Sequence, residues 1–421
     1  MSRLVHAASI AFLLAVTLAA APFTQTAAGT AGGTRAFTNF RLLDGTDKPA
    51  VANAALVVRD GKVMSIGAAS SVTIPAEAER IDLAGKTVLP GLVNAHGHVS
   101  NPDRDLRTYA AYGVTTVFSL GGENAATFAA RDAQATPALD RSRVFAAGTV
   151  LAPTTVDQAR QMVAANEAAR ADLVKIRVDD MLGTTEKMPP DVYRAVIDEA
   201  HKRNRRVAVH LFYLADAKGV LDAGADLIAH SVRDLAVDAA FIAALKSRNV
   251  CLVPTLMREV STFVYESTPA FFSDPLFLAH ADARQVATLK EPARQEAMRT
   301  SATAQRYKTA LEVASKNLKT LSDAGVTIAM GTDTTGSNGR FQGYFEWMEL
   351  EMMVKAGLTP RQALAAATRD AARCQRIDAQ VGTLEPGKWA DFLALSADPT
   401  ADISNIRTLS DVFVAGNRVA R

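Results

Sequence analysis

The sequence predicts an α/β fold: a (β/α)8 barrel of the TIM type beside a small composite β-sandwich built from both chain ends. Three observations predict it. Between residues 87 and 333, short apolar runs alternate with amphipathic helical stretches, the rhythm of parallel βα units. Eight such runs occur, the arithmetic of a closed barrel. The two ends have another texture, of short strands and tight turns. A length of 421 residues suits a barrel plus a smaller module. A doubly wound open sheet is the alternative, but no Gly-rich dinucleotide fingerprint follows any run.

The chain begins with a leader-like stretch. Arg3 precedes an apolar run over 10–21, followed by small residues through Ala28. That is the pattern of a secretory signal over 1–28, and it implies a periplasmic or secreted protein. The run is too short to span a bilayer comfortably, and no second apolar stretch is long enough, so no membrane span is expected. Residues 29–86 and 381–421 then form the composite sandwich. Asp60-Gly61 between two apolar runs predicts a hairpin. Gly382-Thr383-Leu384-Glu385-Pro386-Gly387-Lys388 is a turn leading into the C-terminal strands. Neither end could bury a core alone, so they are expected to pair.

The barrel occupies 87–380, with strands expected at 87–96, 115–120, 143–150, 172–178, 206–211, 226–232, 250–256 and 326–333. A clear helix follows at 190–204, with Asp191 as its cap. One connection, 257–324, is far longer than a usual αβ loop. It carries Phe263, Tyr265, Phe271, Phe272 and Phe277 and follows strand seven, at the face where barrel enzymes keep their sites. It reads either as a lid over substrate or as an insertion packing on its own aromatics or against a second copy.

Composition is ordinary: 48% hydrophobic, 21% charged, net charge +2. Nothing there points to a nucleic-acid partner; a small-molecule substrate is expected, and composition leaves both a monomer and a homo-oligomer open. Two cysteines exclude a disulfide framework or a thiolate zinc site. Cys251 opens a core strand, which favours a buried free thiol, with a Cys251–Cys374 bridge as the alternative.

Seven histidines remain to be placed. His6 leaves with the leader, His201 reads as solvated, and His280 has no evident role. His96 and His98 close the first strand and project to one side of it, with small Gly97 between them. His210 and His230 end strands five and six, and Asp333 ends strand eight. Lys175 lies inside the apolar run Leu173-Val174-Lys175-Ile176. In a barrel all six groups open onto one bowl. Imidazole is the commonest protein metal ligand, so the set reads as a metal site. A buried ammonium is costly unless paired or modified. Lys175 therefore either pairs with Asp179, Asp180 or Asp333, or loses its proton and takes up carbon dioxide as a carbamate that bridges two cations.

These motifs resemble the amidohydrolase superfamily over essentially all of the mature chain. The resemblance rests on Val88-Leu89-Pro90-Gly91-Leu92-Val93-Asn94-Ala95-His96-Gly97-His98, on Gly331-Thr332-Asp333, and on the closing Gly382–Asp391 segment. It is nearest the binuclear branch with a carboxylated lysine, which includes prolidase-like and Xaa-Arg-type dipeptidases. The resemblance implies one metal at His96, His98, Lys175 and Asp333, and a second at His210 and His230, bridged by N6-carboxylysine at Lys175. Two divalent ions are implied, with zinc the default. It also implies attack by a metal-bridging hydroxide, Asp333 as general base then general acid, and Tyr213 as donor to an oxyanion or a substrate carboxylate, with plain packing the alternative. Deaminase members tend to carry a Glu soon after the strand-five His. Here Leu211, Phe212 and Tyr213 follow, which points to hydrolysis of an amide, in a dipeptide or an N-acyl amino acid. Hydrolysis of a lactone, carbamate or cyclic amide is the alternative, and a non-catalytic metal-binding protein is the remote one. Arg177, Arg233, Arg258 and Arg340 lie near strand ends or in the loops that follow; each singly reads as a surface arginine, with binding of a substrate carboxylate the alternative for any of them.

Overall fold

A computed structural model describes residues 33–420. The leader expected over 1–28 lies outside the described residues. No helix among the described residues is long and apolar enough to cross a membrane.

Strands β1 (Arg35–Leu42), β2 (Val51–Arg59), β3 (Lys62–Ala68), β4 (Glu79–Asp82) and β5 (Thr87–Pro90) come from the N-terminal end. The site-bearing strands follow: β6 (Leu92–Gly97), β7 (Val114–Ser119), β8 (Arg143–Ala146), β9 (Val174–Val178), β10 (Val207–Leu211), β11 (Leu227–Ala229) and β12 (Cys251–Val253). The chain closes with β13 (Phe392–Leu395), β14 (Leu409–Val414) and β15 (Asn417–Arg418). The two ends do pair, but into one eight-stranded sheet, ordered β15-β14-β13-β5-β1-β2-β3 with β4 beside β1. Its core includes Phe37, Phe40, Leu56, Phe392 and Phe413. The hairpin turn forms at Asp60-Gly61, both at positive φ (51° and 75°), which suits a two-residue turn.

The expected first strand is split. Thr87–Pro90 pairs antiparallel with β13, whereas Leu92 onward pairs parallel with β7. Gly91 is the pivot: a Cβ there would lie 2.1 Å from Thr115 Oγ1. The boundary of the β-rich part therefore falls near residue 91 instead of 86.

The parallel part consists of two sheets of the TIM-barrel type, β6-β7-β8 and β9-β10-β11-β12. An isolated bridge between Leu151, five residues past the end of β8, and Ile176 joins that segment to β9. Residues 326–334 form no regular strand. They bridge β12 through Leu252–Ile328 and β6 through Gly97–Thr334. Two expected strands stop early, β11 at Ala229 and β12 at Val253, and His230 (φ 77°), Thr255 (φ 50°) and, in the third run, Asp333 (φ 57°) turn into the left-handed region. The helix expected at 190–204 spans Pro190–Lys202; its cap residue is Pro189, and Asp191 lies within the first turn.

The long connection folds as short helices and the 22-residue helix Ala302–Asp323. Its aromatics pack mainly on one another and on the segment after residue 340. Phe277 lies 5.4 Å from Phe272 and 4.7 Å from Phe341, and Tyr265 lies 5.7 Å from Phe272. Tyr265, Phe272 and Phe277 are buried, as core residues are and the inner face of an open lid would not be.

Cys251 and Cys374 form a disulfide, which corrects the free-thiol expectation. Burial was read rightly, but the helix Arg369–Cys374 brings its last residue to the start of β12, with Cα atoms 5.9 Å apart. That separation is within the range a disulfide spans. His201 is exposed, as expected, and its Nε2 lies 2.8 Å from Asp226 Oδ2.

Candidate metal centre

Two backbone features bring the first three groups together. Alternation along β6 carries His96 inward. The amides of Thr332 and Asp333 both donate to His96 O (3.0 and 2.7 Å), and His98 N donates to Thr334 O (2.9 Å). This zips the 332–334 turn against the end of β6. As a result His98 Nε2 and His96 Nε2 lie 2.8 and 3.3 Å from Asp333 Oδ1. One ligand atom from each of His96, His98 and Asp333 falls within 4.8 Å of the others, the spacing of groups that could hold one ion. Gly97 is needed less for approach to an ion than for packing: a Cβ would lie 2.6 Å from Tyr109 Oη.

The other two imidazoles adjoin. The His230 ring is centred 4.7 Å from that of His96 and 4.3 Å from that of His210. Each is oriented by a second residue that sequence reasoning left unassigned to this role. His210 Nε2 lies 2.8 Å from Asp179 Oδ2, and His230 Nδ1 lies 2.8 Å from Thr255 Oγ1. Lys175 points into the same interior, 3% exposed. Its Nζ and His96 Nδ1 are buried with no hydrogen-bond partner among the described residues. The expected pairing of Lys175 with an aspartate is therefore not made at bonding distance.

Electrostatics follow from burial. Desolvation, with the Lys175 charge second, pushes His96 down to about 3. Desolvation likewise lowers His210 to about 4 and His230 well below its ordinary value, so these rings are neutral at pH 7. Burial lowers Lys175 to about 7, against the pull of Asp333 and Glu123. Burial would raise Asp333, but Arg340 and the two histidines outweigh it and keep the carboxylate ionised. Burial works against a charge on His98 too, but its bond to Asp333 and that carboxylate's charge raise it. The site thus joins three neutral imidazoles, His98, one carboxylate and a half-deprotonated amine, a donor set suited to cations.

Around this centre lies a polar frame. Glu346 Oε1 accepts from Asn94 Nδ2 (2.6 Å), Thr332 Oγ1 (2.6 Å) and Thr334 Oγ1 (2.7 Å), and Asn94 Oδ1 accepts from His96 N (2.9 Å). This network ties β6 to the Asp333 turn.

The four arginines separate. Arg177 is exposed on β9. Arg233 and Arg258 are buried and share Glu259, at 3.1 Å each, and Arg340 is half-buried with Nη1 2.6 Å from Asp333 Oδ2. Three of the four are thus interior groups; their loops fold inward, which no local pattern shows. Tyr213 is joined to Asp180, donating to Oδ1 at 2.8 Å, under the Lys187 ammonium. Burial, then the Asp180 bond, pushes its phenol up to about 12. His280 packs its ring 5.2 Å from that of Tyr112.

Comparison with known proteins adds the family. The model of the amidohydrolase family matches residues 87–419. An imidazolonepropionase of Nocardia farcinica is 28% identical over 364 residues, 82% of this chain and 86% of that protein. Another, of Mycolicibacterium smegmatis, is 35% identical over 96 residues, so the chain spans only about a quarter (24%) of its length. Among solved structures, a candidate prolidase from Bifidobacterium longum shares 26% identity at a TM-score of 0.76, over 93% of this chain and 96% of that one.

Proposed function

The chain belongs to the amidohydrolase family, and from that premise we propose that it is an exported, binuclear metal-dependent hydrolase cleaving the amide bond of a dipeptide or N-acyl amino acid. One observation carries the reading: Lys175 Nζ is buried without a partner beside neutral imidazoles, in a site that also gathers His96, His98 and Asp333. A buried amine lowered to about 7 is neutral in a large fraction of molecules. Its nitrogen can add to carbon dioxide, releasing one proton to solvent and leaving a carbamate. That converts an unpaired cation into an anionic bridge, which supplies what the site lacks.

The donor set fits two divalent ions, with zinc the default for nitrogen and oxygen ligands. His96, His98 and Asp333 would hold one, His210 and His230 the other, and carboxylated Lys175 both. We read residues 326–334 as the eighth stave of a closed barrel, since they bridge the strands on both sides. When bound, the ions supply acidified water at neutral pH and a Lewis acid for the carbonyl. The chain's own residues do the rest. Asp333 accepts the proton of the attacking water and returns it to the leaving nitrogen. Tyr213, protonated at working pH, would serve as a hydrogen-bond donor to the developing oxyanion by turning its hydroxyl from Asp180 to the substrate. The disulfide suits an oxidising compartment and agrees with the leader-like N-terminus.

The test is metal analysis together with hydrolysis of a dipeptide and N-acyl amino acid library in the presence of zinc. Expected are two metal equivalents per chain, cleavage abolished in Asp333→Asn, and at most one equivalent in Lys175→Ala. A metal-free purified protein, or Lys175→Ala with full activity and full metal content, overturns the reading. Cleavage confined to lactones, carbamates or cyclic amides would move the substrate class and keep the centre.

A further inference from the structure

One helix reaches both halves of the metal centre from behind. Tyr344–Lys355 follows the Asp333 turn, and two of its fully buried side chains are acids, Glu346 and Glu349. Residues three apart share one face of a helix. This face is turned toward the segments that carry the ligands. Buried acids are costly unless each finds donors. Both find them, and the two sets of donors belong to different halves of the site.

Glu346 serves the first half. Its Oε1 accepts from Asn94 Nδ2, Thr332 Oγ1 and Thr334 Oγ1. The donors are fixed in turn. Asn94 Nδ2 also lies 3.0 Å from Thr332 Oγ1, and Tyr109 Oη lies 2.8 Å from Thr334 Oγ1. Thr332 and Thr334 flank Asp333, and Asn94 Oδ1 holds His96 N. One carboxylate oxygen thus seats two ligand candidates of the first metal against each other.

Glu349 serves the second half. Its two oxygens accept from Leu256 N and Met257 N, at 2.8 and 2.7 Å. Those amides directly follow Thr255, whose hydroxyl meets His230 Nδ1 at 2.8 Å. Thr255 stands in left-handed backbone, φ 50°, which a β-branched residue adopts only when its surroundings hold it there. The Glu349 carboxylate is such a hold.

We propose that the helix Tyr344–Lys355 is the brace of the metal centre, with Glu346 as a positioning residue for the first metal, through His96 and Asp333, and Glu349 for the second, through Thr255 and His230. This rests on the binuclear reading above. It adds two residues that touch neither metal nor substrate, and it divides them between the two ions.

The experiment withdraws zinc from the full-length protein with a chelator. Wild type should release two ions with separable affinities, and Thr255→Val marks the step of the second. Glu349→Gln keeps the volume but can no longer accept from both amides. It should weaken that same step about tenfold, the low end of what partners of a ligand govern, and less than additively with Thr255→Val. Glu346→Leu should weaken the other step alone, by about tenfold or more. Glu346 Oε2 has no hydrogen-bond partner among the described residues, so Glu346→Gln can place its NH2 there, keep all three bonds and recover most of the loss. Should Glu346→Leu not fold, Thr332→Val with Thr334→Val cuts the same bonds from the turn side and should move the same step. With zinc in excess, Glu349→Gln should regain kcat, whereas Glu346→Leu should stay low in kcat with KM unchanged, because Asp333 handles the proton. A merely structural helix would lower the melting of the metal-free protein and move both steps together or neither; that result overturns the proposal and leaves the binuclear centre standing. One step or none in wild type defeats the binuclear reading, and the proposal with it.

Discussion

At the scale of single residues, the ligand candidates were legible because each histidine ends an apolar run, and runs of that kind are read from pattern alone. Their supports were not. Thr255 and Asp179 reach His230 and His210 from neighbouring strand ends, and no spacing in the chain announces those pairings. Such partners fix the ring and its tautomer and typically govern metal affinity by about 10–100-fold. Thr255→Val keeps the shape and removes the hydroxyl 2.8 Å from His230 Nδ1. It should weaken binding of the second metal by about that factor, measured by competition with a chelator, with the melting of the metal-free protein little changed. Glu349 gives a residue-scale prediction on stability. Burial pushes its carboxyl up to about 8, while the unfolded chain loses the proton near 4.5. The folded state thus binds the extra proton between those values, so stability falls as pH rises through that window. Glu349→Gln does not titrate. Its unfolding free energy in urea, relative to wild type, should therefore climb from pH 5 to pH 8; a pH-independent difference would contradict the assignment.

Among the elements, strand existence was readable and strand length was not. The expected runs 226–232, 250–256 and 326–333 each end early or lose regular pairing. At or just beyond those ends, His230, Thr255 and Asp333 take up left-handed backbone. Non-glycine residues there are strained, and such strain concentrates where side chains are aimed at a site. An apolar pattern continues straight through these positions because the residues are still buried, so periodicity cannot show the turn. The split at Gly91 escaped for a similar reason: both halves are apolar, yet they pair in different sheets. Gly97 is the place to test this packing. Ala there would bring Cβ within 2.6 Å of Tyr109 Oη and 2.9 Å of Val117 Cγ2, on the backbone between His96 and His98. Gly97→Ala should cost about 1–3 kcal/mol in urea unfolding, as overpacking does. Adding Tyr109→Phe, which deletes the nearer atom, should recover part of it.

Across the whole molecule, the chain ends meet in one sheet, and the parallel strands between them carry the site. The far side of that scaffold is closed covalently. Cys251 begins β12, and Cys374, 123 residues later, ends the helix Arg369–Cys374, the third helix after the Asp333 turn. The segment between them holds the long insertion and the 326–334 stretch that carries Asp333. It is thus the part of the molecule whose loosening would cost most at the site. Closing so long a loop removes denatured-state entropy worth about 5 kcal/mol in the chain-entropy model. Reduction should therefore lower the urea midpoint of wild type markedly, and Cys251→Ser with Cys374→Ser should show the same lowered midpoint without reductant and no further response to it. Site geometry rests on the backbone bonds between β6 and residues 332–334, not on the bridge, so the reduced protein should keep its metals at low denaturant. Metal loss on reduction, before any unfolding, would show instead that the bridge holds the eighth segment in register.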